Sequence, residues 1–111
     1  GAVRTTGDVV RTALWLIGFE STPEQSGELC VVELFGRDIG PDGSGRVGVG
    51  VHPFGDPDLR DDFAQVATAI DLRDEHRYTV EWMPGAARFY LDDALIAEVD
   101  QSPAYPLQLM L

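Results

Sequence analysis

Gly27-Glu28-Leu29-Cys30-Val31-Val32-Glu33-Leu34-Phe35-Gly36 is an apolar run of strand length, closed by glycine at both ends and carrying two glutamates five residues apart. Its apolar and β-branched content and the flanking glycines make residues 28–35 a strand. Side chains of a regular strand alternate between faces, so residues 28 and 33 would point to opposite sides. One β-bulge between them changes the parity and aims both carboxyls at one face. Two carboxyls in one groove are the equipment of a retaining glycosidase, which needs them about 5–5.5 Å apart, one to attack the anomeric carbon and one to protonate the leaving oxygen. Such neighbours resist ionising together, and the more deeply buried one is expected to keep its proton. The competing reading of the same residues is an edge strand whose glutamates face water.

Outward from this strand, short apolar runs alternate with Gly, Pro and Asp, the pattern of a sandwich or barrel. Strands are expected at residues 12–19, 28–35, 46–52, 64–70, 77–82, 87–91, 94–99 and 107–111. Pro84-Gly85 and Asp92-Asp93 are turn signals that fold three of these into a meander. Tyr78, Val80 and Trp82 share one of its faces, opposite Phe89 and Leu91 on the next strand. Phe63, Val66, Ala67 and Ile70 recur at helical spacing, but Val66, Thr68 and Ile70 also alternate, and a strand is expected there. Residues 36–45, with four Gly, one Pro and two Asp, form a flexible loop directly after the two-glutamate strand.

The 111 residues, 44% hydrophobic, suit one small globular domain. Eight basic against nineteen acidic residues leave a formal charge of −11, which repels phosphate backbones and anionic lipid. Neither nucleic acid nor a membrane is expected as a partner, whereas neutral polysaccharides fit. No run of about 18 apolar residues is present to span a bilayer, and the start, Gly1-Ala2-Val3-Arg4, lacks the basic end and apolar stretch of a signal peptide. One cysteine, Cys30, forms no internal disulfide and sits between acidic residues, so redox chemistry is not expected.

The segment Glu28-Leu29-Cys30-Val31-Val32-Glu33 resembles the glutamate, aliphatic, aspartate, aliphatic, any residue, glutamate signature of glycoside hydrolase family 16, the laminarinase, lichenase and agarase group. Further segments resemble that family in the same order. Ala13-Leu14-Trp15-Leu16 is similar to the strand that sets a Trp near the substrate. His76-Arg77-Tyr78-Thr79-Val80-Glu81-Trp82-Met83-Pro84 and Arg88-Phe89-Tyr90-Leu91-Asp92-Asp93 look like its aromatic strand and hairpin. Tyr105-Pro106-Leu107-Gln108-Leu109-Met110-Leu111 is similar to its proline-initiated cleft strand.

The resemblance implies an all-β, concanavalin A-like jelly-roll β-sandwich binding the glycan on a concave sheet, with Glu28 as nucleophile and Glu33 as acid/base. It favours a secreted or cell-surface protein. Two departures stand out. Cys30 occupies the aspartate position, and a thiol accepts no charge-assisted hydrogen bond. The family's sandwich also needs roughly twice this length, so residues 1–111 are expected to form a single but partial glucanase-like domain, either a fragment or a reduced relative that covers its open sheet edges by self-association.

Trp15 and Trp82 offer flat faces for sugar rings, competing with core packing, and His52, ending its strand before Pro53, is placed to partner the carboxylates. Asp56, Asp58, Asp61 and Asp62 lack the spacing of a calcium loop, and no phosphate-binding or serine-hydrolase motif occurs, so no metal or cofactor is expected. The leading expectation is a retaining hydrolase of β-linked polysaccharide. The alternatives are a non-catalytic carbohydrate-binding jelly roll whose site Cys30 has broken, and a structural interaction domain with the two glutamates solvent-exposed and apart.

Overall fold

The computed structural model describes residues 2–3, 11–18, 22–35 and 39–110. The regular elements among them are all strands: β1 Ala2–Val3, β2 Arg11–Gly18, β3 Glu28–Phe35, β4 Gly45–His52, β5 Asp62–Thr68, β6 His76–Met83, β7 Ala86–Leu91, β8 Ala94–Val99 and β9 Leu107–Met110. They form two antiparallel sheets, one in the order β5-β4-β3-β2-β9 and the other in the order β1-β6-β7-β8. This is the expected all-β sandwich. Phe19 and Leu111, the expected ends of two strands, and residues 36–38 of the expected flexible loop lie outside the described residues.

Strand β7 shows how the sequence chooses its faces. Ala87, Phe89 and Leu91 are buried while Ala86, Arg88 and Tyr90 are partly exposed, a strict alternation that puts one face on the core. On the opposite face Arg88 pairs with Glu98 of β8 at 2.5 Å, a cross-strand ion pair. The turn at Pro84-Gly85 uses a positive φ of 74° at Gly85, and that at Asp92-Asp93 uses φ of 51° and 69°. Two positive φ values in succession make the hairpin turn whose twist matches the flanking strands, and Asp tolerates that region better than most residues.

The core lies between the sheets. Leu29, Val32 and Leu34 of β3 and Val47, Val49 and Val51 of β4 meet Tyr78, Phe89 and Leu91 of the second sheet. The stretch with both helical and alternating spacing is the strand β5, because residues 62–68 pair in register with β4 along their whole length. Helical periodicity in a short apolar run yields to a neighbouring strand with unpaired backbone groups.

His76 joins the connection between the sheets to the Asp92-Asp93 turn. Its Nδ1 lies 2.5 Å from Asp92 Oδ2 and its Nε2 lies 2.5 Å from the Asp71 carbonyl. Both partners are acceptors, so only the imidazolium satisfies both contacts. Burial opposes the charge, but the Asp71 carbonyl and the Asp92 and Asp74 carboxylates outweigh it and raise the His76 pKa above 6.5. The group is only 12% exposed. A raised folded-state pKa gives stability that is full below the unfolded value and is lost as pH rises through the folded one. Thermal unfolding of the wild type is therefore expected to lose stability above pH 6.5, and His76→Gln should flatten that fall. Equal slopes in the two proteins would exclude the clasp.

At one end of the sandwich the loops are stitched together by Tyr105. Its hydroxyl donates to Asp56 Oδ2 at 2.5 Å and accepts the Gly27 N–H at 2.8 Å. Burial, followed by the bond to Asp56, pushes the phenol up to about 12. Gly27 immediately precedes Glu28, so the bond anchors the start of β3. Tyr105→Phe leaves a buried carboxylate oxygen and an amide without this partner, an expected loss of about 1–3 kcal/mol in denaturant unfolding; an unchanged midpoint would contradict it.

Candidate active site

The site is built on a bulge in β3. Toward β4, Cys30 pairs with Gly50 and Glu33 with Gly48, so three residue steps on β3 match two on β4. Toward β2, Leu14 pairs with Val32 and Trp15 with Cys30, so two steps on β3 match one. Both neighbours thus register one extra residue in β3 between Cys30 and Val32. Strand parity changes there, as the spacing of the glutamates requires.

Cross-strand partners share a face, and the register therefore sorts the side chains into three ladders. One holds Gln108, Ile17, Glu28 and His52; the next holds Met110, Trp15, Cys30, Gly50 and Phe63; the third holds Ala13, Glu33, Gly48 and Gln65. Glu28, Cys30 and Glu33 accordingly lie on one face, opposite to the core face of Leu29, Val32 and Leu34. Four residue steps of β4 separate the first and third ladders, about 13 Å of backbone. Both glutamate side chains must lean over Cys30 to approach each other.

Glu28 is 5% exposed, whereas Glu33 is half-buried. Cys30 is fully buried, and its thiol donates to the Gly48 carbonyl with Sγ and oxygen 3.7 Å apart. The floor beside it is bare because β4 alternates Val47, Val49 and Val51, which enter the core, with Gly48 and Gly50. A Cβ on Gly48 would lie 2.6 Å from Phe63 Cζ and 3.3 Å from Glu33 Cβ, so glycine is what admits the Phe63 ring. Phe63 in turn stacks on His52 with ring centroids 4.6 Å apart. His52 Nδ1 lies 3.8 Å from Asp61 Oδ1.

Of the residues singled out from sequence, Glu28, Glu33, Cys30, Trp15 and His52 thus share one face of one sheet. Trp82 stands apart from them. It belongs to β6 in the other sheet, is 40% exposed, and donates its indole N–H to the Pro103 carbonyl at 3.0 Å. Tyr78 and Val80 precede it on the core-facing side, and Trp82 continues that row past the end of the core into an apolar groove with Pro84, Pro103 and Tyr105. Among the four aspartates, Asp56 is buried and engaged by the Tyr105 hydroxyl and the Asp58 amide, a loop-fastening role. In the sequence Phe63 stands in an apolar run with both helical and alternating spacing, which marks no site. The glycine at every second position of Gly48-Val49-Gly50-Val51 was the available signal that one face of β4 is stripped of side chains.

The family model for glycosyl hydrolases family 16 matches residues 4–110. The chain belongs to this family. Among solved structures it is similar to a GlcNAcα1-4Gal-releasing endo-β-galactosidase from Clostridium perfringens, with a TM-score of 0.74 and 22% identity over 96% of this chain. The chain spans 28% of the length of that protein. At this identity the likeness speaks for the fold alone, a jelly-roll sandwich. No curated protein sequence matches.

Proposed function

We propose that this chain carries the catalytic strand of a retaining glycoside hydrolase that cleaves β-linked polysaccharide, a β-glucan or a related glycan. The observation that carries the reading is the single-residue bulge in β3, which turns Glu28 and Glu33 to one face beside a strand stripped of side chains at Gly48 and Gly50.

In this reading Glu33 protonates the glycosidic oxygen while Glu28 attacks the anomeric carbon, breaking the glycosidic bond and forming a glycosyl-enzyme; Glu33 then takes a proton from a water whose oxygen bonds to the anomeric carbon as the Glu28–carbon bond breaks, which releases the sugar with its configuration retained. Burial alone would leave the proton on Glu28, the more enclosed group. Two considerations give the roles the other way round. The acid/base must exchange its proton with water in each cycle, and Glu33 is the carboxyl with solvent access. The nucleophile needs no exchange with solvent, and Glu28 is the enclosed carboxyl, with His52 directly across from it in the ladder. Trp15, on the same face, is read as a platform for a sugar ring.

Cys30 supports a second reading, a carbohydrate-binding domain without turnover, because a thiol bonded to the Gly48 carbonyl cannot share a proton with the glutamates as an aspartate would. Incubating the intact protein with β-glucans and galactans, with product analysis by mass spectrometry, separates the two. New oligosaccharides that vanish in Glu28→Gln establish the hydrolase, and retention of glycan without products establishes the binder.

A further inference from the structure

Phe54 is placed where folding alone would not place it. The ring is 67% exposed, so it contributes little to any core. Its backbone has a φ of 48°, a left-handed conformation that is an outlier for a bulky residue. The turn is closed by the Asp56 N–H donating to the Pro53 carbonyl at 2.9 Å, which makes Phe54 and Gly55 its two central residues. Positive φ falls on the first of them, the position where such turns favour glycine.

The glycine of this turn is instead at the second position, held by packing: a Cβ on Gly55 would lie 2.9 Å from the Pro23 carbonyl oxygen and 3.0 Å from Ser26 Oγ. The Gly55 N–H also donates to Ser26 Oγ at 2.8 Å. Gly55 is thereby accounted for, and Phe54 is not. Strain held at an exposed aromatic that stands outside the core cluster points to use of that aromatic.

The ring's surroundings say what the use is. Phe54 lies 5.9 Å from the His52 ring, tilted by 51°, and His52 stacks on Phe63. His52 faces Glu28 in the ladder and Phe63 stands over Gly48, so the three rings form a row along the carboxylate face with Phe54 at its solvent end. We infer that Phe54 is a stacking platform for a pyranose ring of the glycan, bound one or more sugar units away from the cleaved bond on the Glu28 side of the face. An apolar ring face suits a neutral sugar, whose C–H groups pack on it while its hydroxyls stay hydrated, and the chain's charge of −11 disfavours an anionic one.

The inference rests on the hydrolase reading, and the test keeps the two separate. The intact protein is assayed on β-linked gluco- and galacto-oligosaccharides of two to six units, comparing wild type with Phe54→Ala, Phe54→Trp and Phe54→Asn. Phe54→Ala is expected to raise KM about 3- to 10-fold on the longest oligosaccharides with kcat within about twofold, and to leave the shortest cleaved substrate unaffected. Phe54→Trp should restore KM. Phe54→Asn, better suited to positive φ, should raise Tm by a few degrees while losing affinity as Phe54→Ala does. Wild-type cleavage with an unchanged KM in Phe54→Ala at every length would overturn the platform and leave the hydrolase standing. A fall in Tm for both Phe54→Ala and Phe54→Asn would also overturn it, since the ring would then be structural. No cleavage of any oligosaccharide by the wild type would defeat the hydrolase reading and the platform with it.

Discussion

Replacing either glutamate of the bulged strand is expected to remove turnover of polysaccharide, but the two variants should fail differently. Glu28→Gln deletes the nucleophile, and no covalent intermediate forms on any substrate; the expected loss is about 10⁴-fold or more. Glu33→Gln deletes a proton donor and base, whose contribution is typically about 10²–10⁴-fold. An aryl β-glycoside with an acidic phenol as leaving group needs no protonation, so Glu33→Gln should still be glycosylated by it and stall before hydrolysis. Glu28→Gln should be inert toward the same compound. Amide replacements preserve shape, and circular dichroism and Tm close to wild type would show that the losses are chemical. If Glu33→Gln loses the aryl glycoside as fully as Glu28→Gln, the roles assigned from solvent access are wrong.

The second large effect concerns stability. Phe89 is the largest fully buried side chain among the described residues, set in β7 between Tyr78 and Val80 of β6 and the valines of β3 and β4. Phe89→Ala removes a ring from the centre of the layer between the sheets, where strands held by their hydrogen-bond ladders cannot collapse to fill the space. The expected cost is about 3–5 kcal/mol. Domains of this size have about 5–15 kcal/mol in total, so the variant should unfold at markedly lower denaturant and lose more than about 12 °C of Tm. A loss below about 1 kcal/mol in equilibrium denaturation would show that the layer is not the close-packed core described here.

The same physical distinction explains what could be read from the sequence. Features written in local order were legible: the alternation of Ala87, Phe89 and Leu91, the turns at Pro84-Gly85 and Asp92-Asp93, and the odd spacing of Glu28 and Glu33, which demanded a bulge if both were to share a face. The bulge is present in the register with both neighbours. Strand β1, Ala2–Val3, is too short to carry any period and exists through its pairing with Arg77 and His76. Trp82 shows the opposite limit. Its place in an aromatic strand suggested a sugar platform, yet which sheet a strand joins is settled by long-range pairing that no local pattern records. Phe54 was silent in the sequence because its significance lies in a backbone angle and an exposure, neither of which is a property of the residue type.

Cys30 marks where family membership stops short of activity. Between the two glutamates of the proposed site stands a weak S–H donor, directed to the Gly48 carbonyl. The central claim is that Glu28 nevertheless forms a covalent bond to sugar, and the most direct test is to treat Glu33→Gln with the activated aryl β-glycoside and locate any added mass by peptide mass spectrometry. The account predicts one added glycosyl unit per chain on the peptide containing Glu28; an unmodified chain, or a glycosyl unit on any other residue, would contradict it.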